Sequence, residues 1–351
     1  MSANLGNDEM SSAAETPEET PEETSSLEVA EHKLLDPDPG PAIAADDGTT
    51  ASRPLIICFH GSGESCSPSW DALAHTLTAV PHRLRVLLYD RGILNPRPPQ
   101  ATSELREYLR SEGLKGPCVL VAHSYGGAFA RTFLEQEQEQ GREQQEQEQG
   151  ENLGKDKDDD DAVQVVGMVL VETGQEGGLD PEVERAQYAR RVLGTRPLSV
   201  VRGNSLMRQW ADLTAAEASV PAGDELKRED LRQRREMLRI YDAADEQLKK
   251  KQLDLAAPNA RKRYVRVPDC GHHVVRDRPD VVAREIAWVL ENVGKIEEEV
   301  EMDGMGEENR REGRNNDDKG KMGDKIWEVK IKRIWKFCRG VMGKLLDKLG
   351  K

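Results

Sequence analysis

Aromatic residues and long apolar runs are both scarce in this sequence. Aromatic side chains account for 4% of the 351 residues, whereas charged side chains account for 33%. So few core-forming side chains indicate that part of the chain lies outside a folded core. No stretch reaches the roughly 18 apolar residues that a membrane-spanning helix requires. We therefore expect a folded body with polar extensions and no transmembrane helix.

The first residues of the sequence carry no recognisable targeting signal. They lack the basic start and the apolar stretch of a secretory signal peptide. Ser2 stands where N-myristoylation requires glycine. The repeated ETPEET-like units found there instead predict a disordered acidic tail.

The sequence has only five cysteines, and their spacing matches no metal-binding pattern. Cys58 and Cys118 lie within apolar runs, which is typical of buried free thiols. The odd count favours a reducing compartment over a disulfide-bonded protein. We therefore expect a cytoplasmic protein that requires neither a metal nor a cofactor. The cysteines are Cys58, Cys66, Cys118, Cys270 and Cys338.

Charge is unevenly distributed along the chain, whose formal net charge is -15. Residues 1–50 contain 13 acidic residues and a single lysine, and residues 135–161 contain 12 acidic and 3 basic residues. Residues 325–351 have the opposite balance, with 9 basic and 2 acidic residues. The charge thus belongs to two extensions and an internal insert, and it gives no reason to expect nucleic acid as a partner.

These changes in composition divide the chain into segments. Residues 135–161 form a low-complexity acidic insert that we expect to end as a surface loop. Residues 204–256 form a charged amphipathic block of helices, which either covers the strand ends as a lid or simply connects two strands. We predict a disordered acidic tail over 1–50, an α/β domain over 51–294, a linker over 295–324 and a basic helix over 325–351.

Short, continuous apolar runs mark the strands of the domain. They do not alternate with polar residues, which indicates strands buried on both faces, as in parallel sheets covered by helices. Helix-like stretches lie between them, over residues 69–78, 103–111, 127–134 and 279–293. The alternation predicts an α/β fold with a mostly parallel central sheet flanked by helices. The apolar runs are residues 55–59, 85–89, 119–122, 166–171, 198–201 and, more weakly, 263–267.

The run at 119–122 leads directly into Ser124, which Gly126 and Gly127 follow. Small residues two places before and two places after a serine allow a sharp turn from strand to helix that exposes a nucleophilic hydroxyl. Ala122 occupies the first of these places, where glycine is usual. The motif alone is weak, because an ordinary strand-to-helix corner has the same pattern.

A nucleophilic serine also requires N–H groups that stabilise the oxyanion formed during attack. The pair His60-Gly61 follows the strand at 55–59, and its glycine lets the loop bend towards the top of the sheet. The N–H of Ser62 would then face the serine together with the N–H of Tyr125. The alternative interpretation is a glycine turn capped by His60.

The base that takes the serine proton has two candidates, His272 and His273. Both lie on a loop after the last predicted strand, from which a histidine can reach the sheet edge that carries Ser124. The Gly-His order favours His272. The alternative is a pair of solvated loop histidines.

Four motifs in this order resemble the α/β-hydrolase superfamily: HGSG after the first strand, YDRG after the second, AHSYGG after the third and CGHH near the end. The resemblance covers most of residues 51–294. It implies an esterase, a lipase or a related serine hydrolase with a Ser–His–acid triad and a small-molecule acyl substrate. A serine at position 124 differs from the aspartate nucleophile of the epoxide hydrolase and dehalogenase branches.

The acid of the triad is less clearly marked. The family most often places it after the strand at 198–201, where the first carboxylate is the distant Asp212. Some members carry it one strand earlier, where Glu172 ends its strand. A carboxylate buried at a strand end requires a partner, and the imidazole of His272 would supply one. We therefore predict Glu172, with Asp212, Glu176 or no acid as the alternatives. Without an acid at this site, the alternative function is that of a non-catalytic binding protein with the same fold, which its C-terminal helix could recruit to membranes.

The basic segment 325–351 has apolar residues at three- and four-residue steps from Trp327 to Leu349, with lysine and arginine between them. This pattern is typical of a helix on an anionic membrane surface, or of a helix bound in a calmodulin-like groove. Acylation of Cys338 would strengthen an anchor of this kind. We predict peripheral membrane contact, with docking on the body of the protein as the alternative.

Overall fold

The computed structural model describes residues 32–37, 54–91, 96–150, 162–174 and 179–296, with the backbone alone for 140–150. Strands and helices alternate along these residues. The strands are β1 (Lys33–Leu35), β2 (Leu55–Phe59), β3 (Arg85–Tyr89), β4 (Gly116–His123), β5 (Val163–Val171), β6 (Leu198–Arg202) and β7 (Lys262–Arg266). The helices are α1 (Asp71–Thr78), α2 (Pro98–Ser111), α3 (Gly126–Gly150), α4 (Pro181–Arg190), α5 (Met207–Ala218), α6 (Glu225–Lys251), α7 (Val274–Asp277) and α8 (Pro279–Glu291).

The strands form one sheet in the order β1-β3-β2-β4-β5-β6-β7. Strands β2 to β7 run parallel to their neighbours, whereas β1 pairs antiparallel with β3. The carboxyl ends of the parallel strands therefore share one edge of the sheet, where ligands bind in folds of this type. The predicted α/β fold with a mostly parallel central sheet is confirmed.

Helices cover both faces of this sheet, which explains why its strands are apolar without alternation. On one face α2 and α3 pack through Leu105, Phe129 and Phe133, all of them buried. On the other face α1 and α8 pack through Leu73 and Ile286, which are also buried. The two layers hold the central strands rigidly, so the loops at their carboxyl ends start from fixed positions.

Strand β1 corrects the prediction that residues 1–50 are disordered throughout. Leu34 and Leu35 pair with Leu87 and Val86 of β3, so three residues cover the edge of the sheet. Covering an exposed edge strand protects its unpaired backbone groups. The acidic composition of the surrounding segment conceals so short a strand in the sequence.

Helix α3 continues past its predicted end at residue 134 and into the acidic insert. Glutamate and glutamine are good helix formers, so a tract of this composition extends an existing helix. Within the extension, Glu137 accepts a hydrogen bond of 3.0 Å from the backbone N–H of Val165 and pairs with Arg196 at 3.3 Å. The first part of the insert is thus helical and contacts the domain. The surface loop in which we expected the insert to end falls on residues 151–161, outside the described part of the chain.

The predicted buried thiols Cys58 and Cys118 are confirmed, and Cys66 and Cys270 are also buried free cysteines. Burial raises the pKa values of the Cys58 and Cys118 thiols far above the usual range of a cysteine. Within the described ranges, no helix is long and apolar enough to span a bilayer. The predicted basic helix at 325–351 and most of the predicted linker lie outside the described residues.

Candidate active site

The turn after β4 carries Ser124 at the carboxyl edge of the sheet. Its backbone is left-handed, with φ 52°, and its N–H donates to the carbonyl of Val171 at 3.1 Å. A Cβ at Gly126 would lie 2.2 Å from the carbonyl oxygen of Phe59, so only glycine fits where α3 begins. The sequence pattern of small residues therefore reflects a close approach of the turn to β2.

His272 lies on the loop between β7 and α7, beside this turn. Its Nε2 is 3.0 Å from Ser124 Oγ, and its Nδ1 is 3.1 Å from Glu172 Oε2. With the proton on Nδ1, the imidazole donates to the carboxylate and accepts from the serine hydroxyl. Of the two candidate histidines it is thus His272 that faces the serine, because Nδ1 of His273 faces Glu64 at 3.1 Å.

Glu172 follows β5 immediately and is fully buried, with a left-handed φ of 53°. Besides His272, its carboxylate accepts a hydrogen bond of 2.6 Å from the N–H of Gly203 and one from the hydroxyl of Ser205. Burial opposes ionisation of this carboxyl. The hydrogen bond from His272 and the charge of Lys249 outweigh burial and lower the pKa of Glu172 to about 2.

The other two acid candidates are not at this position. Asp212 lies on α5 with its side chain 74% exposed, 3.9 Å from Arg208. Glu176 falls within residues 175–178, which lie outside the described part of the chain. Glu172 is therefore the candidate acid that the structure brings to His272.

The loop after β2 brings Gly61 against Ser124. A Cβ at Gly61 would lie 3.3 Å from the Cβ of Ser124, so the next residue, Ser62, starts beside the turn that carries Ser124. Tyr125 lies between Ser124 and the first residue of α3. Both residues whose N–H groups we predicted as donors, Ser62 and Tyr125, thus lie close to Ser124 in the chain or across the loop.

Buried polar contacts fix this loop. The Nδ1–H of His60 donates to the carbonyl of Gly61 at 2.8 Å, and Nε2 accepts from the N–H of Arg91 at 3.3 Å. The guanidinium of Arg91 donates to the same Gly61 carbonyl at 2.8 Å. Burial and the nearby Arg91 charge lower the pKa of His60 to about 4, in keeping with a neutral ring that both donates and accepts. His60 thus holds the loop in place through buried hydrogen bonds, as in the alternative interpretation of a glycine turn that His60 caps.

Glu64 connects three of the loops at this edge. Its carboxylate lies 3.6 Å from Nδ1 of His123 and 3.1 Å from Nδ1 of His273. His123 in turn donates from Nε2 to the carbonyl of His272 at 2.9 Å. The close approach of His123 is the main reason that the pKa of Glu64 falls to about 2. Sequence analysis assigned no role to Glu64 or His123, although His123 directly precedes Ser124 and Glu64 lies two residues after Ser62.

Among the described residues, no group of three or more histidine, cysteine, aspartate or glutamate side chains has the arrangement of a metal site. The histidines at this edge instead contact the carboxylates of Glu64 and Glu172 and the carbonyl of His272. The chemistry available to these side chains is proton transfer between a hydroxyl, an imidazole and a buried carboxylate.

Comparison with known proteins identifies the class. The model of the Alpha/beta hydrolase family matches residues 56–285, which is well over half of the chain. The chain belongs to the alpha/beta hydrolase family. A comparison with curated proteins found no match.

Several solved structures are similar to this chain. The dienelactone hydrolase from Anabaena variabilis ATCC 29413 has 16% sequence identity and a TM-score of 0.41, over 77% of this chain and 95% of that one. MenH from S. aureus has 15% identity and a TM-score of 0.37, over 74% and 97%. Est1E from Butyrivibrio proteoclasticus has 15% identity and a TM-score of 0.40, over 74% and 93%. Identities this low do not identify a substrate for the present chain.

Proposed function

We propose that the protein is a serine hydrolase that cleaves an ester or a related acyl bond through a Ser124–His272–Glu172 triad. The observation that carries the proposal is the continuous hydrogen-bonded chain of these side chains, with 3.0 Å between hydroxyl and imidazole and 3.1 Å between imidazole and carboxylate. Distances of this size allow direct proton transfer to the imidazole. The three side chains lie at the carboxyl edge of the sheet, where proteins of this architecture bind ligands.

In the first half of the reaction, His272 Nε2 takes the proton of Ser124 as Oγ attacks the acyl carbonyl carbon. The carbonyl oxygen gains the negative charge, which the N–H groups of Ser62 and Tyr125 would stabilise. His272 then gives its proton to the leaving oxygen, and an alcohol departs. Ser124 is left as an acyl ester.

In the second half, His272 takes a proton from water as the water oxygen attacks the acyl carbon. The tetrahedral intermediate collapses, Oγ of Ser124 recovers the proton from His272, and the carboxylic acid leaves. Glu172 stays ionised throughout. A carboxylate with a pKa of about 2 keeps the Nδ1 proton in place and stabilises the imidazolium that forms twice in each cycle.

Hydrolysis of p-nitrophenyl acetate tests this function at low cost. We expect the wild-type protein to release p-nitrophenol with saturation kinetics, and His272→Gln to lose that activity. His273→Gln is the matched control, because His273 faces Glu64 instead of Ser124. A wild-type protein with no turnover above the rate of the His272→Gln variant would favour the other function, that of a non-catalytic binding protein with this fold.

A further inference from the structure

The inner face of α6 is charged where it meets the sheet. Lys249 on this face is completely buried, and Asp245, one turn earlier, is 9% exposed. Lysine is almost never fully buried unless it is paired, because removing its charge from water is costly. A helix that needed only to cover the sheet would place apolar residues here. The two charges therefore indicate a specific requirement at this point.

Lys249 reaches the candidate acid. Its Nζ donates to Asp245 Oδ1 at 2.7 Å and lies 3.6 Å from Glu172 Oε2. Oε2 is the same oxygen that faces Nδ1 of His272 and accepts from the hydroxyl of Ser205. The ammonium group thus forms an ion pair with the carboxylate oxygen that faces the imidazole.

The remaining charges around Lys249 balance one another. Arg202, at the end of β6, donates from Nε to Asp245 Oδ2 at 2.8 Å and pairs with Asp242. Glu246 lies 3.9 Å from Arg202 and 3.4 Å from Arg266 of β7. Glu172, Lys249, Asp245 and Arg202 together form a buried group with two negative and two positive charges. Loss of Lys249 or Asp245 therefore changes the balance of charge beside Glu172.

On its other side His272 faces a second set of titratable groups. The ring centroids of His123 and His273 lie 4.9 Å and 5.5 Å from that of His272, and Glu64 contacts both of these rings. None of these groups contacts Glu172 directly in the described structure. Lys249 differs from these groups because it pairs with Glu172 itself, at 3.6 Å from Oε2.

We propose that Lys249 is a positioning residue that holds the Glu172 carboxylate and sets the basicity of His272, an inference that rests on the proposed hydrolase function. The ammonium offsets part of the Glu172 charge, so the imidazole releases its proton at a lower pH than it would beside an unopposed carboxylate. The same contact ties the position of α6 to the orientation of the triad. A movement of α6 would thereby change the activity of the site.

The proposal predicts opposite effects for two substitutions. Lys249→Met removes the cation, so His272 holds its proton more strongly and the acidic limb of kcat/KM moves up by about one pH unit. Asp245→Asn removes an anion that partly neutralises Lys249 and Arg202. Their positive charge then acts more strongly on His272, so its pKa falls and the acidic limb moves down by a smaller amount. A substitution that only damaged the structure would lower kcat/KM, but it would not move the acidic limb up in one variant and down in the other.

The matched control is Lys250→Met, which removes the same charge from the next residue, where the side chain is 54% exposed and paired with Glu246. We expect this variant to keep the wild-type pH profile. Nuclear magnetic resonance titration of the His272 ring in all four proteins gives a readout that does not depend on turnover. If Lys249→Met does not fold, the shift in Asp245→Asn still tests the proposal, because asparagine matches aspartate in shape.

The outcomes separate the two proposals. Opposite shifts of the His272 titration in Lys249→Met and Asp245→Asn, with no shift in Lys250→Met, support the role of Lys249. Unchanged His272 titration in both variants, or equal shifts in the same direction, overturns it even if the wild-type protein is an active esterase. An inactive wild-type protein with opposite titration shifts would instead contradict the hydrolase function and leave the role of Lys249 in positioning Glu172 supported.

Discussion

Glu172 Oε2 lies 3.1 Å from Nδ1 of His272, although 100 residues of sequence separate the two. The contact arises because Glu172 follows β5 and His272 follows β7, and both strands end at one edge of the sheet. Strand β6 lies between them, and the residue directly after it, Gly203, donates its N–H to the same carboxylate. The acid candidate is thus one strand earlier than is most frequent in proteins that this chain resembles.

Substitution of the candidate acid should show whether Glu172 or Asp212 is the acid of the triad. Glu172→Gln keeps the shape of the side chain but removes the charge that stabilises the imidazolium and selects its tautomer. We expect kcat for p-nitrophenyl acetate to fall by roughly 10³- to 10⁴-fold. Asp212→Asn is the control, and we expect it to retain wild-type kcat because Asp212 is 74% exposed. The reverse pattern, with Asp212→Asn inactive, would assign the acid to α5.

Glu64 should make stability depend on pH. Its pKa falls from 4.5 to about 2 on folding, chiefly through its interaction with His123. Its contribution is therefore complete above the unfolded value and is lost as pH falls from there towards the folded value. We expect Glu64→Gln to lower the free energy of unfolding by about 1–2 kcal/mol at pH 7, and by much less at pH 3.

Urea unfolding of the wild type and the variant at several pH values between 3 and 7 measures this difference. Glu107→Gln, on the exposed face of α2, is the control and should unfold like the wild type at each pH. A Glu64→Gln variant whose deficit stayed constant over this range would show that the carboxylate charge is not what stabilises the loops.

Much of the sheet could be predicted from the sequence. Runs such as 55–59 and 85–89 are apolar without alternation because helices cover both faces of the strands they form. Once those strands are parallel, their carboxyl ends share an edge. The positions of Ser124, Glu172 and His272 directly after strands then suffice to bring them together.

The contacts around these residues were less predictable. Lys249 is the first of three consecutive lysines in the last turn of α6, and nothing in the sequence distinguishes the buried lysine from its neighbours Lys250 and Lys251. Strand β1 is too short to produce a periodic pattern. Glu64 contacts His123 and His273 only because three loops meet at this edge of the sheet. The sequence does not show how close these loops come to one another.

The basic segment 325–351 lies outside the described residues, and its membrane association stays a prediction. Apolar residues at helical spacing beside nine lysine and arginine residues should bind anionic vesicles. We expect the full-length chain to float with vesicles that contain phosphatidylserine, and a chain truncated at residue 324 to remain at the bottom of the gradient. Vesicles of phosphatidylcholine alone are the control. Equal flotation of the two chains would remove this segment as the membrane contact.

The central claim is that the Ser124 hydroxyl is a nucleophile activated by His272. Labelling with a fluorophosphonate probe tests it most directly, because the probe reacts only with an activated serine and leaves a covalent adduct that mass spectrometry can locate. We predict a single adduct on Ser124 in the wild type and none in a folded Ser124→Ala variant. Equal labelling of both proteins, or no labelling of the folded wild type, would contradict the claim.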